Sequence, residues 1–258
     1  MSNRQRAGST IVGLALLLGQ CLAAHGMEAR VIVATPMKAA TTELAAQFER
    51  ATGSRIVVES AAAPAIRKML DGGAKFDAII LASELFKELS GQGKIEPGTA
   101  APVARVGIGI AIRAGAPRPD VGSIDALKNS LRAAKLIGFT DPASGSAGGV
   151  NAAAAIERLG MTGELKSRIR VYPPSTFPGP LVQGEVDLWL TQMSEIAQSP
   201  GVSAAGALLP ELQNYTTYVA GMLTDAKDTK IARSLIAHFT TPDAIAALKA
   251  MGMEPAAR

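Results

Sequence analysis

The stretch Thr140-Asp-Pro-Ala-Ser-Gly-Ser-Ala-Gly-Gly149 holds the densest cluster of residues able to meet a ligand. Gly145, Gly148 and Gly149 let the backbone turn and approach a guest closely, and Ser144 and Ser146 add hydroxyl donors. The helix expected after the loop presents unpaired N–H groups and the positive end of its dipole. Together these suit an anion. No Gly-Lys-Ser/Thr closes the loop, which excludes a Walker-type nucleotide hydrolase. The plain alternative is a flexible connection with a good helix cap.

Three further positions of the same kind follow other strands. Thr35-Pro36-Met37-Lys38 ends the first, and Ser60-Ala-Ala-Ala-Pro64 ends the second, with Arg67 one turn into its helix. Thr191-Gln192-Met193-Ser194-Glu195 follows Asp187-Leu-Trp-Leu190. Thr35, Gln192 and Ser194 can donate to an anion, and Lys38 and Arg67 suit carboxylates, which arginine grips in a two-pronged fashion. Thr35 and Lys38 equally fit ordinary helix entry, and Arg67 beside Lys68 equally fits a solvated helix face. Glu195 is expected to pair within or cap its own helix, and Trp189 to lie in the core. His25 and His238 have no partner at ligand spacing, so neither a metal site nor a Ser/His/Asp arrangement can be built. No motif asks for a cofactor. If the chain carries out proton chemistry, Lys38 and Glu195 are the titratable residues of these loops, and the sequence does not choose between them.

The elements that must hold these loops alternate in type. Strands are expected over 30–34, 55–59 and 76–82, separated by helices that start near Lys38 and at Pro64. Ser83 caps a third helix running to about residue 90. A long glycine-spaced apolar strand over 103–113 leads into a second set: a helix over 123–133, a strand over 136–139, a helix over 151–159, a strand over 168–172, a helix near 177–183 and a strand over 187–190. Residues 215–223 read as the return crossing, with terminal helices over 226–239 and 242–251. Such alternation implies an α/β protein with mainly parallel sheets covered on both faces. The expected division is lobe I from 27–108 plus 219–258 and lobe II from 109–218. The two crossing strands serve as hinge, and the ligand lies beyond the strands' carboxyl ends.

Composition narrows the partners. Of 258 residues, 48% are hydrophobic and 19% charged, which excludes a disordered chain. Aromatics are 4%, too few for base-stacking platforms. Arg4 and Arg6 followed by the apolar run from Thr10 to Gly19 read as a signal peptide over 1–26, hence export to the periplasm. Cys21, the only cysteine, lies inside that segment. Without Arg4 and Arg6 the balance falls to 24 basic against 22 acidic residues, a net charge of +2 that offers nucleic acid no footprint.

The helix 38–51 with Gln47-Phe48-Glu49-Arg50-Ala51-Thr52-Gly53, the segment Phe76-Asp77-Ala78-Ile79-Ile80, Asp141-Pro142 before Ala147-Gly148, and Gly184-Glu185-Val186-Asp187 together resemble the periplasmic molybdate-binding protein family. The resemblance spans nearly all of residues 30–255. It implies the type II periplasmic binding protein fold, a small anionic ligand, a monomer, and delivery to the membrane permease of an ABC-type transporter. Members that bind molybdate place serines where this chain has Pro36 and Ala62-Ala63-Pro64, and a tyrosine where it has Gln192. The Gln192-x-Ser194-Glu195-Ile196 ending is similar to a divergent branch that includes aconitate isomerase. That branch implies the alternative function, an allylic proton shift between cis- and trans-aconitate.

Overall fold

A computed structural model describes residues 28–256; the expected signal segment lies outside them. β1 (Glu28–Ala34) passes through a single 3-10 turn (Thr35–Met37) into α1 (Lys38–Thr52), followed by β2 (Arg55–Ala61), α2 (Ala63–Asp71), β3 (Ala78–Ala82), α3 (Ser83–Gly91) and β4 (Ala101–Val106). The chain then crosses to β5 (Ile108–Arg113), α4 (Ile124–Ala133), β6 (Ile137–Thr140), α5 (Ala147–Arg158), α6 (Thr162–Leu165), β7 (Ile169–Tyr172), α7 (Gly179–Gln183), β8 (Leu188–Gln192), α8 (Met193–Gln198) and β9 (Val202–Ala207). It returns through β10 (Thr216–Met222), α9 (Thr229–His238), α10 (Pro242–Ala250) and β11 (Glu254–Pro255).

The strands form two sheets, ordered β11-β4-β10-β3-β1-β2 and β7-β6-β8-β5-β9. β2, β1 and β3 run parallel, as do β7, β6 and β8, while β10 and β5 join each set antiparallel. This is the α/β, two-lobed arrangement expected, each lobe a parallel set extended by antiparallel strands. Burial explains the unbroken apolar runs. In β1 and β3, Val31, Val33, Ala78 and Ile80 enter one core, while Ile32, Ile79 and Leu81 enter the core on the opposite face. In the second sheet Ile108, Ile110, Leu188 and Leu190 face one way, and Ala111 and Trp189 the other. A strand covered on both faces has no polar side to show.

The crossings differ in detail from the sequence reading. The outgoing strand breaks between Val106 and Ile108, and Ile108 already pairs with Gln192 of the second sheet. β10 pairs with β4 and β3 of the first sheet from Thr216 onward, so Thr216–Tyr218 lie on that sheet although the expected second lobe ran to residue 218. The return crossing therefore falls in the segment between β9 and β10. There the Gln213 side chain imitates a strand: its Oε1 accepts from Ile108 N–H at 2.8 Å, and its Nε2 donates to the carbonyls of Ile108 at 2.8 Å and Leu208 at 3.1 Å. One amide thus binds the two crossings together.

The first sheet is fixed to the terminal helices by a buried acid. The Asp77 carboxylate accepts backbone N–H groups of Arg30 at 2.8 Å, Lys227 at 2.7 Å and Asp228 at 3.0 Å, joining β1 and β3 to the entry of α9. Hydrogen bonds to an ionised group contribute ~1.5–3 kcal/mol each, and their loss strands buried donors. Asp77→Ala is expected to lower the free energy of unfolding by about 3 kcal/mol or more in urea titration. A change under about 0.5 kcal/mol would contradict this role.

Candidate functional site

A cavity of ≈ 370 Å³ opens between the two sheets. Its walls come from segments that follow strands: Thr35 after β1, Ala62 and Arg67 after β2, Glu84 after β3, Ser146 and Gly148 after β6, and Ser175 after β7. Glu195, beyond β8, and Tyr215 and Tyr218 of the returning crossing line it as well. The site sits beyond the carboxyl ends of two parallel sets, where open α/β sheets hold their ligands.

Local chemistry at the helix starts sets the electrostatics. α2 and α3 begin behind Ala62 and Ala82, and α5 behind Ser146, in each case without a side-chain cap. The 3-10 turn that leads into α1 starts behind Ala34, also uncapped. Of the long helices that begin elsewhere, α4, α9 and α10 are capped: Ser123 accepts from Ala126 N–H, Asp228 from Ile231 N–H and Thr241 from Ala244 N–H; α1 itself, entered through the 3-10 turn, begins behind Met37 without a cap. Polar first-turn groups left without side-chain partners are thus gathered at the cavity, where they favour negative charge.

The loop before α5 depends on two glycines. Gly145 adopts φ +70°, a left-handed conformation that side chains disfavour. Gly149 lies so close to the Thr140 carbonyl oxygen that a Cβ would collide with it. Helix α5 starts at Ala147, four residues before the expected start, because the glycine pair enters the helix and lets it press against β6.

Of the expected ligand residues, Thr35, Arg67, Gly145, Ser146 and Gly148 line the cavity. Ser144 does not: its hydroxyl donates to the Asp141 carbonyl at 2.6 Å and holds the loop in shape. Lys38 is also absent from the walls, since the 3-10 turn over Thr35–Met37 rotates it onto the exposed side of α1. Arg67 lines the cavity, but its guanidinium is engaged by Glu88 of α3, with Nε and Nη2 contacts of 2.7–3.1 Å. That pair raises the Arg67 pKa and lowers that of Glu88, chiefly through the hydrogen bonds between them. A ligand carboxylate would have to share Arg67 with Glu88.

Gln192 and Ser194 are fully buried, one layer behind the wall. Gln192 Oε1 accepts from Tyr218 OH at 2.6 Å, a bond from β8 of one sheet to β10 of the other. Gln192 Nε2 and Ser194 Oγ have no partner among the described residues. Sequence reasoning did not anticipate Asn151, Ser175, Asn214 or Tyr215 in the walls. Asn151 reaches from α5 to the Asn214 carbonyl at 3.1 Å and the Thr216 hydroxyl at 3.0 Å, and Asn214 Nδ2 returns a bond to it at 2.7 Å.

Glu195 lies partly buried in the cavity wall. Thr191 Oγ1 donates to its Oε2, and the Gln192 N–H also bonds to it, so the side chain reaches back over the start of α8. Burial pushes its pKa up, and the two hydrogen bonds oppose that only in part. Burial likewise pushes the Tyr218 hydroxyl up, with the Glu195 charge adding to it. The folded state therefore disfavours an ionised Glu195: the stability penalty is absent at acid pH and grows as pH rises from the ordinary carboxylate range through the raised value. Glu195→Gln is expected to raise the melting temperature at pH 8 by a few degrees and to leave it nearly unchanged at pH 4. An equal shift at both pH values would show that the penalty is not one of ionisation.

Comparison with known proteins fits this geometry. The family described as bacterial extracellular solute-binding protein matches residues 29–254. A protein of Pseudomonas sp. named aconitate isomerase is 26% identical over 220 residues, covering 83% of this chain and 82% of its own. Among solved structures, the periplasmic molybdate-binding protein of Azotobacter vinelandii superposes with a TM-score of 0.76 at 19% identity, over 89% of this chain and 100% of that one. The sulfate-binding protein of Mycobacterium tuberculosis superposes with a TM-score of 0.68 at 16% identity, over 89% of this chain and 87% of that one. At these identities the structures speak for the fold, and the family match carries the assignment: the chain belongs to the bacterial extracellular solute-binding protein family.

Proposed function

We propose that this protein is exported to the periplasm, closes its two lobes around a small organic anion bearing carboxylates, and presents it to the permease of an ABC-type transporter. The observation that carries the reading is the contrast between helix starts. Those at the cavity lack side-chain caps, whereas α4, α9 and α10, which start away from it, are capped by Ser123, Asp228 and Thr241. An anion seated among them would supply what the missing caps do not.

Two features favour an organic acid over a bare tetrahedral oxyanion. The ≈ 370 Å³ cavity falls within the ~300–1,000 Å³ typical of small-molecule sites. Pro36, Ala62 and Ala63 in its wall contribute no hydroxyls, so hydroxyls, those of Thr35, Ser146 and Ser175 included, line the wall only in part. Capture would proceed by hinge closure about the crossings joined by Gln213, the ligand binding the closed form preferentially and shifting the population toward it.

A second reading is enzymatic: interconversion of cis- and trans-aconitate by an allylic proton shift. It is favoured by the resemblance to aconitate isomerase over most of both chains and by the presence of a carboxyl group, Glu195, in the wall of an anion cavity.

Isothermal titration of the mature protein against molybdate, tungstate, sulfate, citrate and both aconitates separates the ligand classes. Heat is expected from the tricarboxylates and little from the inorganic oxyanions. At a hundredfold excess over Kd the bound form gains about 2.7 kcal/mol, which raises Tm by ~5–10 °C for a chain of this size. Tight molybdate with silent carboxylates would reverse the ligand choice, and no response to any of the six would remove the anion reading.

A further inference from the structure

The isomerase reading requires a group that moves a proton between carbons, and the cavity narrows the choice. The titratable side chains in its walls are Arg67, Glu84, Glu195, Tyr215 and Tyr218. Arg67 is held by Glu88. Tyr215 OH donates to Glu254 at 3.1 Å, and its ring lies under Arg105. Tyr218 OH is committed to Gln192. Glu84 is exposed on the first turn of α3 and accepts from the Ser83 hydroxyl at 3.0 Å. Lys38, the other titratable candidate of the sequence, is outside the walls.

Glu195 remains, and its placement suits the task. Its Oε2 lies 3.6 Å from where a Cβ on Gly148 would stand, so the carboxyl is beside the first turn of α5, the anion seat of the second lobe. Two buried polar atoms on neighbouring residues, Gln192 Nε2 and Ser194 Oγ, have no partner among the described residues. In a cleft built only to hold anions, a carboxyl group next to the seat is a source of repulsion.

We propose that Glu195 is the catalytic residue that carries the proton in an allylic shift on a bound unsaturated tricarboxylate. The proposal rests on the isomerase reading of this cavity. The Glu195 carboxylate takes a proton from the methylene carbon. That C–H bond breaks, and its electron pair spreads into the adjoining double bond, with the flanking carboxylates bearing the charge against the uncapped helix starts. The proton then passes from Glu195 to the far carbon of the three-carbon unit, a new C–H bond forms there, and the double bond has moved. Atoms and electrons balance within the substrate, and Glu195 ends as it began. Burial supports the role independently of position, since a carboxylate held above its ordinary range is a stronger base toward carbon.

The groups around Glu195 are Thr191 on β8 and the Gln192 backbone, which favour the ionised form, and Gly148 on α5. Tyr218 on β10 feels the charges of both Glu195 and Glu84 of α3.

The test uses the mature protein with trans-aconitate as probe, following binding by calorimetry and conversion by chromatography. Glu195→Gln is expected to bind within about threefold of wild type while kcat falls by ~10²-fold or more. Glu195→Asp is expected to keep measurable turnover. Wild-type kcat is expected to rise with pH to a plateau reached above the ordinary carboxylate range, as the base ionises. Turnover by Glu195→Gln near the wild-type rate overturns the assignment and leaves the isomerase reading standing. Wild type that binds both aconitates without converting either overturns the assignment together with the isomerase reading, and leaves capture intact. Failure to bind any anion overturns the cavity reading from which all of this follows. If Glu195→Gln loses binding through misfolding, Glu195→Asp decides: full-rate turnover with an unmoved pH profile overturns the proposal.

Discussion

A helix start without a side-chain cap favours negative charge beside it, and this fold gathers several such starts at one place. The segments leading into α1, α2, α3 and α5 all begin beside the cavity, and none has a side-chain cap. Ala82 stands where a Ser, Asp or Asn would have capped α3, and Ala34 and Ala62 precede turns that carry Pro36 and Pro64 and likewise receive no side-chain cap. The choice of alanine at those positions makes sense if the site must remain available to a guest. Ser146 supplies a hydroxyl at the fourth start yet does not turn it on its own helix.

Everything else in the fold serves to bring those starts face to face. Two parallel sets supply strand ends, and the crossings between Val106 and Ile108 and between β9 and β10 point them at one another. Three polar contacts cluster at that junction: Gln213 with Ile108 and Leu208, Asn151 with Asn214 and Thr216, and Gln192 with Tyr218. The last two link an element of the second lobe to the strand or approach of β10. Each is a discrete, breakable bond, the kind of element that lets lobes adopt more than one arrangement. Glu195 stands beside this junction, next to Gln192, so a partly buried acid of the wall lies where closure would alter its surroundings.

Much of this was legible in the chain. Strand and helix order, the crossing at residues 103–113, and the anion-friendly loop at 140–149 follow from alternation and glycine placement. What escaped depends on contacts far apart in sequence. Nothing near Arg67 announces its pairing with Glu88, 21 residues on and on another helix. Lys38 leaves the cavity because a 3-10 turn intervenes, which a local pattern of three residues does not disclose. Gln192 reads as a ligand donor in the loop after a strand, yet it is fully buried because the returning crossing brings Tyr218 against it. β9 was missed for a different reason: Val-Ser-Ala-Ala-Gly-Ala has little alternation of apolar and polar residues, and its edge position asks for none.

The central claim is that the uncapped helix starts, and not the capped ones, receive the anion. Hydrogen-exchange mass spectrometry of the protein, with and without saturating trans-aconitate or citrate, reads this directly. Exchange should slow at the first turns of α2, α3 and α5 and at residues 35–38, and remain unchanged at the starts of α4, α9 and α10. Slowing spread evenly over both groups, or confined to the capped helices, would contradict the account.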